Sequence, residues 1–284
     1  MNCNLLQAKS LDEALEARRR FPEARWLAGG TSLIPDQNLG RLTPSGYISL
    51  RRIPELSRIE ALEDVLFVGA ACTMAAIGSH PAVAGFAPML AKAARTMATR
   101  QVRSRASLGG NIATLRSDRS ITPCLLALDA QLHILTASGT GQPSLEDYLS
   151  AERARPESTP SPIVMGASIP RARGFQDFTR IGLNNGASYP IVVTALVVDP
   201  VAQSVRLGLG GAGPVACRAH QAEAFAQASI NWQSLTLGDP DSFGAIAARE
   251  CDPPEDASIS SAYRRHAIQV MSKRLMEQAG TPPL

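Results

Sequence analysis

The feature that most constrains this chain is a short apolar segment, Arg25-Trp26-Leu27-Ala28, that runs directly into Gly29-Gly30-Thr31-Ser32. A strand that ends in adjacent glycines is a place where main chain can come close to a ligand, because no Cβ stands in the way and left-handed turns cost nothing. A second pair, Gly109-Gly110 followed by Asn111, closes the stretch Gln101-Val102-Arg103-Ser104-Arg105-Ala106-Ser107-Leu108. Each pair can turn successive N–H groups toward one anion, although most glycine pairs are simply turns. Neither has the G-x-G-x-x-G spacing of a Rossmann dinucleotide site or the G-x-x-x-x-G-K-[ST] of a P-loop, which disfavours nicotinamide-only and nucleotide-triphosphate enzymes of those folds.

Around these segments the pattern alternates between helix and strand. Ser10 and Glu13 have the spacing of a capping box, in which each side chain satisfies the other residue's backbone N–H, and this predicts a helix to about residue 21. Residues 25–28 then read as a short buried strand. Tyr47-Ile48-Ser49-Leu50 and residues 65–70 read as strands, with a proline-stiffened turn over residues 51–56. Met89, Ala93 and Met97 recur at helical spacing over residues 88–99, residues 124–130 read as a short helix, and residues 131–135 and 163–169 as strands. A boundary near Arg171-Ala172-Arg173-Gly174 divides the chain into residues 1–173 and 174–284. Beyond it, residues 190–198 and 204–210 read as strands of a second sheet, and a helix over residues 258–279 carries the stripe Ile259, Tyr263, Ala267, Val270, Met271 before Gly280 and Pro282 stop it. At 284 residues the chain has room for about two domains, each with a core of its own.

Charge and cysteine usage narrow the chemistry. The net charge is +3, with 19% charged residues spread along the chain, so nucleic acid and anionic membranes are not implied as partners. The start of the chain has no apolar leader core and no spanning segment follows, which makes the cytoplasm the expected compartment and membrane insertion unexpected. The five cysteines, Cys3, Cys72, Cys124, Cys217 and Cys251, are far apart with no C-x-x-C pair, which argues against an iron-sulfur cluster or structural zinc in this chain. His80, His133, His220 and His266 share no metal-ligand spacing, so no metal site is expected. No serine sits in G-x-S-x-G.

Taken with their flanks, Leu27-Ala28-Gly29-Gly30-Thr31-Ser32-Leu33 and residues 101–113 closely resemble the two FAD-binding segments of the medium, flavin-carrying subunit of molybdenum hydroxylases, the group of the xanthine dehydrogenase and carbon monoxide dehydrogenase flavoproteins. The resemblance continues in order through residues 48–56, Leu125-Leu126-Ala127-Leu128-Asp129-Ala130, Leu209-Gly210-Gly211-Ala212 and Ser260-Ser261-Ala262-Tyr263-Arg264-Arg265-His266. It implies an α+β chain: a two-part FAD-binding domain of the PCMH/VAO-like type over residues 1–173, then a smaller α+β C-terminal domain over residues 174–284.

By that resemblance the first segment wraps the FAD diphosphate with Ala28, Gly29, Gly30, Thr31, Ser32 and Leu33, with Arg25, Trp26 and Leu27 at its edge. Trp26 reads as core rather than as a flavin stacker. The second segment, Ser107, Leu108, Gly109, Gly110, Asn111 and Ile112, holds the diphosphate and approaches the flavin. Uncharged N–H donors would then hold the diphosphate without setting a cation beside the redox ring. The family also carries an acid shortly after the second segment, on the ribose or adenine side; here the spacing brings Ser120 to that place, and Asp118 is the nearest acid. A family lysine near the flavin falls at Arg180, and a following acid is replaced by Ala187. No side chain is expected to act as catalytic acid or base. The implied partners are a molybdopterin-binding large subunit and a 2Fe-2S small subunit, with NAD or another acceptor taking the electrons. A stand-alone flavoprotein and a divergent FAD-free assembly subunit are the alternatives.

Overall fold

The computed structural model describes residues 4–156, 159–184, 188–256 and 259–281. Cys3, Ala187, Ser258 and Pro282 lie outside the described residues.

The chain opens with β1 (Asn4–Gln7), α1 (Leu11–Arg20), β2 (Arg25–Leu27), α2 (Leu33–Asn38) and β3 (Gly46–Ser49). The strands form a parallel three-stranded sheet in the order β1-β3-β2. Ser10 caps α1 as its spacing predicts, its Oγ accepting from Glu13 N at 3.1 Å. The return arm differs: Glu13 Oε2 accepts from Lys9 N at 2.8 Å rather than from Ser10. The expected buried strand over residues 25–28 is an edge strand, with Arg25 exposed and Trp26 and Leu27 half-buried. Being at the edge leaves the next residues free of sheet pairing, and the chain turns there into the first glycine segment. A small core of Ala14, Ile48, Ile53, Leu56 and Ile163 lies beneath.

The middle of the chain forms an antiparallel sheet from β4 (Ile59–Ala61), β5 (Val65–Gly69), β6 (Gln131–Thr136), β7 (Gly139–Gly141) and β8 (Ile163–Pro170), in the order β4-β5-β8-β6-β7. Between β5 and β6 run the helices α3 (Met74–Ser79), α4 (Pro81–Phe86), α5 (Pro88–Thr96), α6 (Arg100–Arg103), α7 (Leu108–Ala113) and α8 (Ile121–Ala127), and α9 (Leu145–Ala154) follows β7. The helix expected over residues 88–99 ends at Thr96, where Ala98 takes a positive φ of 44° and breaks the turn.

The last part is a second antiparallel sheet of β9 (Phe175–Gly182), β10 (Pro190–Asp199), β11 (Ser204–Gly210) and β12 (Cys217–Arg218), in the order β12-β11-β10-β9. It is covered by α10 (His220–Ser229), α11 (Pro240–Arg249) and α12 (Ser261–Ala279), with the small hairpin β13 (Ile230–Asn231) and β14 (Thr236–Leu237) between α10 and α11. β10 is buried on both faces, which explains why it is apolar but for Thr194 and the terminal Asp199. Val193, Ala195 and Val197 join the core of the middle part, whereas Val192, Leu196 and Val198 join the core under α12, as a period of two demands.

The two sheets are joined through α8. A Cβ on Gly208 of β11 would fall 2.0 Å from the carbonyl oxygen of Pro123, so only glycine lets the helix lie this close. One residue beyond β11, Gly211 N donates to Ser117 O at 2.9 Å, and Arg264 of α12 donates to Ile191 O at 2.6 Å and pairs with Asp256 at 2.7 Å. The loop before α8 is thereby held from the C-terminal side.

Candidate functional site

A cavity of about 620 Å³ opens between the N-terminal sheet, the loops around α7 and the edge of the C-terminal sheet. Of the residues singled out from the sequence, Arg25, Trp26, Leu27, Ala28, Gly29, Gly30, Thr31, Ser32, Leu33, Ser107, Gly109, Gly110, Asn111, Asp118, Ser120 and Arg180 all line it. Leu108 and Ile112 do not; both are fully buried in the central core, on the inward face of α7.

The first glycine segment leaves β2 and enters α2 with Gly30 at a φ of +73°, a conformation that glycine adopts without strain. Gly29 packs on the main chain ahead of α7: a Cβ there would lie 2.0 Å from Arg105 O. The two segments therefore touch, backbone to backbone. Among the described residues the amides of Gly29, Gly30, Thr31 and Ser32 have no hydrogen-bond partner. Unpaired main-chain donors beside a cavity call for a ligand or water.

The second segment is built differently. Leu108 N donates to Cys72 O at 3.0 Å, Gly109 N to Ala70 O at 2.8 Å and Asn111 N to Ser107 O at 3.0 Å. Gly110 N donates to Ser107 Oγ, the N-cap of α7, at 3.2 Å. Gly109 is glycine because a Cβ would stand 2.8 Å from Ala70 Cβ. What this segment offers the cavity is a rigid floor and the buried amide oxygen of Asn111, which has no partner. Ala98 and Leu115, at φ 44° and 52°, sit either side of it in the cavity wall, and such strain in non-glycine residues is characteristic of binding sites.

Asp118 is not a free carboxylate. Its two oxygens take the Arg116 guanidinium in a fork, and Asp118 Oδ1 lies 3.8 Å from Arg119 Nε. Ser120 is 2% exposed, and its hydroxyl has no partner. Arg180, on β9, donates to Thr96 O at the end of α5 at 2.8 Å and so ties the C-terminal sheet to the cavity rim. Trp26 is half-buried, packed against the small N-terminal core while also lining the cavity, with Nε1 donating to Ser161 O at 3.0 Å and the Arg18 guanidinium 4.4 Å above its ring.

Sequence reasoning passed over Arg119. It is 8% exposed, its Nη2 donates to Ser32 Oγ at 2.8 Å, and its guanidinium stacks 4.7 Å from the Tyr189 ring. The wall is thus more cationic than a scaffold of backbone donors alone. The available signal was two arginines flanking an acid between a glycine segment and an apolar helix; burial of the second arginine could not be read from it.

The remaining candidates stay outside the site. Among the described residues no cluster of histidine, cysteine or acid could hold a metal, and no helix is long and apolar enough to cross a membrane. Cys72, Cys124 and Cys251 are buried, and burial pushes the thiols of Cys217 and Cys251 up to about 11 and 12, so they are unreactive. His133 bonds Ser168 Oγ at 2.7 Å, His220 bonds Glu146 at 2.8 Å, and His266 is exposed on α12.

The cavity lies in a chain of α+β class, between a parallel and an antiparallel sheet, with unpaired main-chain donors in its wall. Residues 1–172 match the family described as FAD binding domain in molybdopterin dehydrogenase, and residues 184–279 match the CO dehydrogenase flavoprotein C-terminal domain. The chain belongs to this molybdenum-hydroxylase flavoprotein family, whose cofactor is FAD. It is 28% identical over 276 residues to the nicotine 6-hydroxylase medium subunit of Paenarthrobacter nicotinovorans, covering 95% of both chains. With the aldehyde oxidase 2 of Cavia porcellus it shares 35% identity over 177 residues, 59% of this chain but 13% of that protein. Its fold superposes on reconstituted CO dehydrogenase from Oligotropha carboxidovorans with a TM-score of 0.87 at 22% identity, covering 99% and 98% of the two chains. With quinoline 2-oxidoreductase from Pseudomonas putida 86 the TM-score is 0.83 at 22% identity, covering 99% and 97%.

Proposed function

We propose that this chain is the FAD-binding electron-transfer subunit of a heteromeric, xanthine dehydrogenase-like molybdenum hydroxylase in the cytoplasm. It works beside a molybdopterin-binding large subunit and a 2Fe-2S small subunit and passes electrons to NAD or another acceptor. Residues 1–173 form the FAD-binding domain and residues 174–284 the C-terminal domain. The observation that carries the assignment is the run of unpartnered amides at Gly29, Gly30, Thr31 and Ser32 in the wall of a 620 Å³ cavity. The buried, unpartnered polar atoms Asn111 Oδ1, Arg119 Nε, Ser120 Oγ and Ser188 Oγ belong to residues of the same wall, so the residues present fit a polar, anionic dinucleotide.

Bound FAD supplies a redox centre that can take electrons singly and release them in pairs. The chain's part is to hold and orient. The amides of residues 29–32 would donate to the diphosphate oxygens, and Gly30 sets the turn that presents them. Ser107 and Gly109 fix α7 as an immobile floor under the dinucleotide, and Asn111 and Ser120 offer polar contacts within it. Apolar walls from Leu50, Leu56, Met97 and Val102 keep water from the enclosed part of the cavity. No acid or base on this chain is needed for electron input, which accords with the ion-paired state of Asp118.

The absorbance spectrum of the purified chain, as isolated and after incubation with FAD, tests the assignment. Flavin bands that survive gel filtration are expected, and their absence in both samples would leave an FAD-free assembly subunit in its place. Co-purification of a molybdopterin-binding chain and a 2Fe-2S chain is expected from the native host; recovery of the flavoprotein alone would favour the stand-alone alternative.

A further inference from the structure

Resting on the FAD assignment, we propose that Arg119 is a charged anchor of this site: its guanidinium binds a phosphate oxygen of the cofactor and sets a full positive charge against the diphosphate. The argument begins with charge pairing. Among the described residues the only carboxylate oxygen within 4 Å of Arg119 is Asp118 Oδ1, at 3.8 Å, beyond hydrogen-bonding range. That same carboxylate is already engaged in a two-point fork with Arg116. One acid therefore faces two guanidiniums, and Arg116 holds the better geometry. Arg119 is the more buried of the two, with 10% of its side chain exposed against 38% for Arg116.

A buried cation without a dedicated counter-ion is unstable unless something anionic completes it. The Tyr189 ring, 4.7 Å away, offsets part of the cost through its π face but offers no hydrogen bond to the guanidinium. The guanidinium is also short of acceptors. Nη2 is used by Ser32, Nε is buried without a partner, and Nη1 makes no hydrogen bond among the described residues.

Position supplies the second half of the argument. Arg119 Nη2 grips the Ser32 hydroxyl, and Ser32 ends the run of residues whose amides are unpartnered. The adjacent Ser120 hydroxyl is buried and unpartnered as well. A guanidinium with Nε and Nη1 lacking acceptors, an unpartnered hydroxyl and consecutive unpartnered amides form one donor cluster in one cavity wall, and the ligand chemistry that satisfies them together is a phosphate ester or diphosphate. Arg116, half-buried and paired with Asp118 in a two-point fork, acts by engaging that acid before Arg119 can, so it is a positioning residue.

The test is the full chain with Arg119→Gln and Arg119→Lys, read by FAD titration at two ionic strengths and by melting of the ligand-free protein. FAD affinity is expected to fall about 10- to 100-fold in Arg119→Gln, as for the loss of a charge-assisted hydrogen bond, with a shallower salt dependence. Arg119→Lys is expected to recover part of it. In the ligand-free state Arg119→Gln is expected to melt at the same temperature as the parent or higher, because it removes a buried charge whose one nearby carboxylate, at 3.8 Å, is shared with Arg116. A lower melting point with unchanged FAD affinity and salt dependence would show a purely structural arginine and overturn the proposal. If the parent itself fails to bind FAD, the functional reading falls, and inorganic pyrophosphate then tests the anion site alone. Pyrophosphate that raises the melting temperature of the parent but not of Arg119→Gln supports the anchor; no difference between them overturns it.

Discussion

The two glycine segments have nearly the same composition and opposite hydrogen-bond accounts. In residues 29–32 the amides have no partner in the protein, while Leu108, Gly109, Gly110 and Asn111 each donate to Cys72, Ala70 or Ser107. Gly30 is glycine for its φ of +73°, and Gly109 for the closeness of Ala70. A Gly-Gly pair is thus not one device. The first segment leaves its donors unpaired beside the cavity, and the second uses its donors to build the cavity floor. The difference follows from their settings: one leaves an edge strand with no further strand to pair its amides, and the other opens a helix packed into the central core.

Gly29→Leu should do the greatest damage, because its Cβ would meet Arg105 O at 2.0 Å, where main chain cannot yield cheaply. A stability loss of at least about 3 kcal/mol is expected, with loss of bound flavin, measured by thermal melting and absorbance. A stable, flavin-loaded variant would break the claim that the two segments meet. Gly109→Ala comes next, with a stability loss of about 1 to 3 kcal/mol from overpacking against Ala70. The affinity of whatever protein remains folded should change less than its melting temperature. Gly30→Ala should show the reverse pattern: a strain cost of about 1 kcal/mol from its positive φ, and a larger proportional loss of FAD affinity in titration. Equal patterns for Gly30→Ala and Gly109→Ala would erase the distinction. Ser107→Ala is expected to be the mildest, costing about 1 kcal/mol through loss of the N-cap, read from denaturant midpoints.

Much of this architecture is visible in the amino-acid order because local chemistry and burial agree. The run over residues 190–198 is apolar but for Thr194 since both faces of β10 are covered, and α12 stops before Gly280 as the stop signal requires. Of the stripe expected on α12, however, only Ala267 and Met271 are buried, with Tyr263 exposed and Ile268, Leu275 and Met276 filling the inner face. Strand β9 is harder to read. Asp177 and Arg180 interrupt its apolar pattern, and their partners, Lys92 and the Thr96 carbonyl, lie far back in the chain. The short helices α3 and α4 are too brief for a period of 3.6 to declare itself. In the site the glycine segments are legible because conformational need leaves a residue-type mark. Which amides are free is not, since that depends on whether Ala70 and Cys72 arrive from β5 and its exit loop. Arg119 is hidden for a similar reason: an arginine in a polar loop is ordinarily solvated, and only the approach of Ser32 and Tyr189 from distant segments encloses it.

The bond from Gly211 to Ser117 and the fit of Gly208 over Pro123 have a consequence for how such a protein can change over time. The loop that carries Asp118, Arg119 and Ser120 lies in the stretch matched by the first family model, yet its shape is clamped by glycines in the stretch matched by the second. A chimera that joined this N-terminal portion to the C-terminal portion of a relative would inherit this loop of the cavity wall without its mould. The two portions are therefore expected to be exchanged only as a matched pair.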